Sequence, residues 1–308
     1  MEVLLQFILL ALGFVLLGKG ADWFVEGAAG IATRFGIPQL VVGLTIVAMG
    51  TSAPEAAVSI AAAVKGSADI TIGNIVGSNI MNILIILGLA AVITPLAVAR
   101  STVRVELPFV IAITGLLFYQ GLDGKISFID GVVLCLAFAA YLSYLYIMAV
   151  RNKVDDDLQE YGYPLRRCLL STVGGLAVII AGSNLTVNAA TAIAAYAGLS
   201  ERFIGLTIVA LGTSLPELFT SVTAARRGNA DIAIGNIVGS NIFNILFVVG
   251  LSALIIDIPF AAAFQFDTYV AIGTAGLLWL CVLPKCRLNR YCGALMLVCY
   301  AVYLWRIL

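Results

Sequence analysis

The sequence predicts an all-α integral membrane protein: ten transmembrane helices in two inverted five-helix repeats, with broken core helices. Three observations lead there. Of the 308 residues, 62% are hydrophobic and only 11% charged, whereas soluble domains carry about 25% charged residues. The apolar residues fall in stretches of about 20 separated by short polar loops, the length a helix needs to cross a bilayer. The chain also repeats itself. Residues 43–55 (GLTIVAMGTSAPE) return at 205–217 (GLTIVALGTSLPE) with 11 of 13 positions identical, and 66–84 return at 228–246 with 16 of 19 identical. Both matches share an offset of 162 residues, so whole halves are duplicated.

Apolar spans are expected near 3–32, 38–64, 70–94, 105–120 and 127–150, then 167–195, 203–225, 231–256, 267–284 and 291–307. The first, from Val3 to Leu17, has no positive start; Glu2 is its only early charge and Lys19 follows it, so it is a retained helix that begins outside. With that start, twelve basic residues fall on inside loops: Arg34, Arg100, Arg104, Arg151, Lys153, Arg166, Arg167, Arg226, Arg227, Lys285, Arg287 and Arg290. Four fall outside (Lys65, Lys125, Arg202 and Arg306), with Lys19 unassigned. This bias puts both termini on the outer side of the cell membrane and the central linker in the cytoplasm. Because five is odd, the second repeat enters from the opposite face, an architecture typical of secondary transporters with sites between the halves. Residues 1–150 form the first repeat, 151–166 a short cytoplasmic linker carrying Asp155, Asp156 and Asp157, and 167–308 the second repeat.

Composition also excludes. There is no histidine, which removes HExxH zinc sites, His-based triads and most proton relays. The six cysteines form no CxxC pair and are small apolar helix residues. No basic stripe with interleaved aromatics supports nucleic-acid binding, and no GxxxxGK[ST] loop supports nucleotide use. An intramembrane hydrolase would lack its usual residues and would have no use for a symmetric duplication. The chain is therefore expected not to be an enzyme, and no obligate protein partner is legible.

The duplicated words carry the chemistry. Each ends Gly-Thr-Ser-x-Pro-Glu, placing Glu55 or Glu217 inside apolar sequence, where a carboxylate costs roughly 2.5–3.5 kcal/mol on insertion scales and marks function by default. Pro54 and Pro216 lack an N–H and clash with the carbonyl four residues back, that of Gly50 or Gly212, so each helix breaks there. Freed carbonyls are tolerated in a membrane where they line a cavity or coordinate something. Thr51, Ser52, Thr213 and Ser214 add oxygens within four residues of the acids. In the second word Asn74, Ser78 and Asn82, and likewise Asn236, Ser240 and Asn244, are spaced i, i+4, i+8 as one polar stripe. Glycines 73, 77, 235 and 239 are expected to permit close helix approach, and Asn79 and Asn241 can serve packing. The donor set is all oxygen, which suits hard cations such as Ca²⁺, Na⁺ or Mg²⁺. Lys19, Asp22 and Glu26 form a further polar run whose counterparts at the offset are Ala181, Asn184 and Asn188; it suggests local pairing or a cytoplasmic-side access path.

At these residues the chain resembles the calcium/cation antiporter superfamily, specifically its bacterial and archaeal Na⁺/Ca²⁺ exchanger-like members. The resemblance implies a ten-helix antiporter without a cofactor, exchanging Ca²⁺ for Na⁺ by alternating access at a midplane site, with the bilayer and the ions as its partners. It implies Ca²⁺ ligation by the carboxylates of Glu55 and Glu217 and the carbonyls of Thr51 and Thr213. Flanking Na⁺ positions would use the carbonyls of Ala48 and Ala210 with Ser52, Ser78, Ser214 and Ser240, while Asn82 and Asn244 line the centre. Relatives switch access by sliding the first and sixth helices. Some carry aspartate where this chain has Asn82 or Asn244, so this site holds a formal charge of −2. One Ca²⁺ or two Na⁺ would neutralise it. An H⁺-coupled or K⁺-dependent antiporter of the same fold, and more remotely a cation channel, fit the same words.

Overall fold

The computed structural model describes residues 2–66, 68–151, 164–198 and 210–307, almost all of them helical. In the first half α1 is Glu2–Phe35, α2 Gln39–Thr51, α3 Ala53–Val64, α4 Thr71–Ile93, α5 Thr102–Asp123 and α6 Phe128–Arg151. The second half repeats the order with α7 Leu165–Tyr196, α8 Ala210–Thr213, α9 Leu215–Arg226, α10 Ala230–Ile255, α11 Ala262–Val282 and α12 Arg290–Ile307. Shifting the first set by 162 lands on the second, element by element. The duplication thus reaches far beyond the two identical words.

Among the described residues seven helices are long and apolar enough to cross a membrane, and the bent pair α2–α3 makes an eighth. The expected span 203–225 lies partly outside the described residues, as do Lys153, the acidic run 155–157 and Arg202. The expected span 291–307 is α12, which turns Tyr291, Val298, Val302 and Trp305 outward. On α1, Leu4, Phe7, Ile8 and Val15 are likewise exposed. Apolar surface on this scale is stable only against lipid, and the chain is a multi-pass membrane protein.

The helix breaks fall where the prolines demand them. Ser52 leaves helical geometry (φ −81°, ψ 5°) and α3 follows with Pro54 in its first turn, bent 51° from α2. Ser214 repeats this (φ −90°, ψ 3°) ahead of Pro216 in α9. The sequence did not announce the wide π turns. These cover Gly43–Val47, Asn82–Leu87, Thr102–Glu106 and Asn244–Val249, so Asn82 and Asn244 each open a matching π segment in α4 and α10. Such bulges concentrate at functional sites.

Two features establish that the halves are inverted. α1 and α7 lie against each other through glycines: Gly13 meets Gly182 and Thr186, Gly20 meets Gly175 and Ile179, and Gly27 meets Cys168 and Thr172. Numbers fall along α7 as they rise along α1, so these equivalent helices run antiparallel. A Cβ on Gly20 would lie 2.8 Å from the Ile179 nitrogen, so only glycine lets the backbones come this close. The second feature is a pair of short ribbons. Strand β1 (Leu96–Ala97) pairs with β4 (Arg287–Leu288), and β2 (Lys125–Ile126) with β3 (Ile258–Pro259). The 22 residues of α5 rise about 33 Å between β1 and β2, placing them at opposite ends. β3, the counterpart of β1, nevertheless pairs with β2. The second half must therefore stand upside down relative to the first. Its deepest spans, α4 and α10, form the centre of the bundle.

Candidate functional site

The centre is built first by amides. Asn79 Nδ2 donates to the Asn241 carbonyl and Asn241 Nδ2 to the Asn79 carbonyl, both at 3.2 Å. Asn82 Nδ2 donates to Asn241 Oδ1 and Asn244 Nδ2 to Asn79 Oδ1, both at 3.1 Å. Four bonds related by the internal symmetry clamp α4 to α10. They consume the amide donors of Asn82 and Asn244 and leave both Oδ1 atoms buried without a partner.

The acids arrive from the broken helices. Glu55 lies in the first turn of α3 and Glu217 in the first turn of α9, each 1% exposed. A helix N-terminus favours negative charge. Each acid is held by the serine of the other half: Ser52 Oγ donates to Glu217 Oε1 at 2.7 Å, and Ser214 Oγ to Glu55 Oε1 at 3.4 Å. Since each serine stands three residues before its own glutamate, these crossed bonds bring the two carboxylates into one neighbourhood. α9 packs on Asn82–Leu87 and α3 on Asn244–Val249, which adds the two asparagines to it. The second oxygens, Glu55 Oε2 and Glu217 Oε2, are buried and unpartnered. Four acceptor oxygens, two from carboxyl groups and two from amides, therefore gather in twofold fashion, and among the described residues no basic side chain is paired with them. Burying such a set in ionised form is unfavourable unless a cation or protons neutralise it.

A supporting layer fixes the backbone behind the acids. Asn74 Nδ2 donates to Ser59 Oγ (3.0 Å) and the Glu55 carbonyl (3.4 Å); Asn236 Nδ2 donates to Ser221 Oγ (2.9 Å) and the Glu217 carbonyl (3.5 Å). Thr51 Oγ1 donates to Asn236 Oδ1 at 3.0 Å. The Ala48 carbonyl receives Ser240 Oγ at 3.4 Å, and Gly239 makes room for that approach, since a Cβ there would meet the Leu44 carbonyl at 2.7 Å. Ser78 is buried in α4, Thr213 is half-buried at the end of α8, and Ala210 begins α8. Ser183 Oγ takes up the Gly212 carbonyl freed by Pro216, at 2.8 Å; the equivalent position in the first half is Ala21, which has no hydroxyl.

Two expectations need correction. The residues at i, i+4, i+8 do not act as one stripe: Asn74 turns to Ser59 and the Glu55 backbone within its own half, while Asn82 turns across to Asn241 of the other half. The run on α1 is not paired locally either. Arg227, at the end of α9, binds Asp22 (2.8 Å) and Glu26 (3.5 Å) from the other half. Sequence reasoning passed over Ser59 and Ser221, although both recur at the 162 offset and so carried a usable signal. Among the described residues no three His, Cys, Asp or Glu side chains cluster to hold a metal, which leaves an oxygen site with two carboxylates suited to a hard cation.

The chain is similar to known proteins over most of its length. The profile of the family described as sodium/calcium exchanger protein matches residues 5–147 and 168–308. The sodium/calcium exchanger MaX1 of Methanosarcina acetivorans is 31% identical over 98% of both chains. The inner membrane protein YrbG of Escherichia coli is 40% identical, covering 82% of this chain and 81% of its own. The structure of the sodium-calcium exchanger NCX_Mj soaked with zero Na⁺ and Ca²⁺ superposes with a TM-score of 0.87 at 33% identity, over 99% of this chain and 100% of the other.

Proposed function

The chain belongs to the sodium/calcium exchanger family, a family of transporters rather than enzymes, and we propose that it exchanges Ca²⁺ for Na⁺ by alternating access at one all-oxygen site near the bilayer midplane. The observation that carries this reading is the set of four buried acceptor oxygens on Glu55, Glu217, Asn82 and Asn244. Ca²⁺ takes six to eight oxygens. The carboxylates of Glu55 and Glu217 would supply its charge, and the carbonyls of Thr51 and Thr213 would complete the near ligands. Na⁺ would occupy flanking positions at Ala48 and Ala210, with Ser52, Ser78, Ser214 and Ser240. Because competing ions share two carboxylates, occupancy by one species excludes the other, and exclusion is what makes an exchanger. A third Na⁺ would leave a net charge of +1, and transport would then respond to voltage by about 2.3 kcal/mol per 100 mV.

The architecture supports the same reading. In ten spans divided as 1–150 and 167–308, the ribbon β1–β4 and its neighbours Arg100, Arg104, Lys285, Arg287 and Arg290 would face the cytoplasm. Both termini would then lie outside the plasma membrane. The outer pair α1 and α7, packed through glycines, is the element suited to slide over the fixed centre. ⁴⁵Ca²⁺ uptake into proteoliposomes under imposed gradients tests the proposal. Uptake should follow an outward Na⁺ gradient and stay near background with a pH gradient alone; uptake indifferent to Na⁺ would defeat the sodium assignment.

A further inference from the structure

The polar run on α1 leaves one charge unused. Lys19 is exposed and takes part in none of the ion pairs among the described residues. Neither does Arg226, exposed in the last turn of α9. Both line a cavity of about 590 Å³ in the seam where α1 packs against α9. Its walls divide by chemistry. Phe14 and Val15 of α1 face Phe219 and Val222 of α9 in an apolar half, with the Phe14 and Phe219 rings 6.1 Å apart across the seam. Lys19, Asp22, Thr223, Arg226 and Arg227 make the polar half.

This division follows the bilayer. Every exposed residue of α1 from Val3 to Val15 is apolar, as lipid requires. Beyond them come Lys19 and then Trp23, 49% exposed, a residue type that collects at the membrane–water interface. The polar groups are reachable, since the side chains of Asp22 and Arg227 keep 41% and 36% of their surface. Asp22 and Glu26 are both turned to Arg227, at 2.8 and 3.5 Å, so Lys19 and Arg226 face the cavity without an acid of their own. Counted together, these five groups carry one excess positive charge. The duplication does not repeat the arrangement: at the 162 offset Lys19 becomes Ala181, Asp22 becomes Asn184, Phe219 becomes Ala57 and Arg226 becomes Val64.

An ammonium and a guanidinium above an apolar floor recognise an anionic phosphodiester that carries hydrocarbon with it. One negative charge balances the excess. A free phosphate would leave the apolar half unfilled, and a zwitterionic headgroup would bring its own cation against Lys19 and Arg226. We propose that the seam between α1 and α9 binds an anionic phospholipid from the surrounding bilayer, its phosphate between Lys19 Nζ and the Arg226 guanidinium and an acyl chain along Phe14, Val15 and Val222.

Native mass spectrometry of the full chain, equilibrated with equal amounts of phosphatidylglycerol and phosphatidylcholine, tests this. The wild type should prefer phosphatidylglycerol by about 30-fold, the scale of two basic residues at a membrane surface. Lys19→Gln and Arg226→Gln should each cut that preference by about fivefold, and Lys19→Arg should keep it. Gly18 borders the cavity and a Cβ there meets nothing within 4 Å. Gly18→Phe therefore suits the helix, fills the seam with every charge in place, and should abolish the preference. Arg166→Gln, at a separate cavity between α1 and α7, should change nothing. Equal retention of the two lipids, an undiminished preference in Gly18→Phe or in both glutamine variants of the seam, a loss in Arg166→Gln, or displacement of the lipid by inorganic phosphate would overturn the assignment.

Discussion

The centre and the periphery of this molecule treat the same duplication in opposite ways. At the centre the two halves are chemically interchangeable: Glu55 answers Glu217, Asn82 answers Asn244, and the Asn79–Asn241 exchange is its own mirror image. At the rim they diverge. Asp22 and Glu26 grip Arg227 at one end, whereas the equivalent residues at the other are Asn184, Asn188 and Lys65. The ribbon β2–β3 is flanked by a Lys125–Asp257 ion pair at 2.6 Å, but the position equivalent to Asp257 is Pro95. A shared central site needs symmetric ligands, because both halves must close on one ion. The rim has no such constraint, and charge there can bias one end against the other. On the proposed function, symmetry separates residues that would bind the ion from residues that would tune its exchange.

The sharpest break in this comparison is at the acids. Glu55→Gln and Glu217→Gln should each reduce Ca²⁺ exchange by on the order of 100-fold, since either loss unbalances a buried charge cluster. Expression and monodispersity should persist, and ⁴⁵Ca²⁺ uptake in vesicles measures the loss. A smaller effect tests how far the centre departs from symmetry. Ser52 bonds its acid at 2.7 Å and Ser214 at 3.4 Å, so Ser52→Ala should weaken Ca²⁺ binding about tenfold and Ser214→Ala by only about twofold. Equal losses in the two variants would contradict the asymmetry.

At the rim the effects shrink. Arg227→Gln removes a partly exposed pair, worth about 0.2–1 kcal/mol, and should shift exchange by less than about fivefold in a salt-dependent way. Lys65→Gln, its symmetry mate, should leave exchange unchanged. Smallest is the ribbon clasp. The hydrogen bond between Lys125 and Asp257 holds the Asp257 carboxyl below its ordinary range and pushes the Lys125 ammonium up. A lowered carboxyl stabilises the fold above the unfolded aspartate value, about 3.9, and that contribution fades as pH falls through the lower folded value. A raised ammonium stabilises below the ordinary lysine value, about 10.4, and its contribution fades as pH rises through the higher folded one. Hydrogen exchange at Ile126 and Ile258, corrected for intrinsic rates, should be flat between these limits and accelerate only beyond them. Asp257→Asn should remove the acid limb.

The same contrast explains what the amino-acid sequence disclosed. Duplication, span pattern and proline position made the inverted helical bundle and its breaks legible, because each rests on local chemistry that one segment carries alone. The acids and asparagines stood out because polar groups in apolar sequence are costly. What escaped were relations between distant segments. Nothing around Arg227 points to Asp22, 205 residues away in sequence. The π turns beginning at Asn82 and Asn244 lie inside apolar spans whose periodicity gave no sign of them.

Calorimetric titration of Ca²⁺ into the purified wild type, Glu55→Gln and Glu217→Gln bears most directly on the idea of one jointly owned cation site. One Ca²⁺ per wild-type chain, with binding lost in both variants alike, is the expected result. Two ions per wild-type chain, or one variant that still binds with wild-type affinity, would mean that the acids act separately.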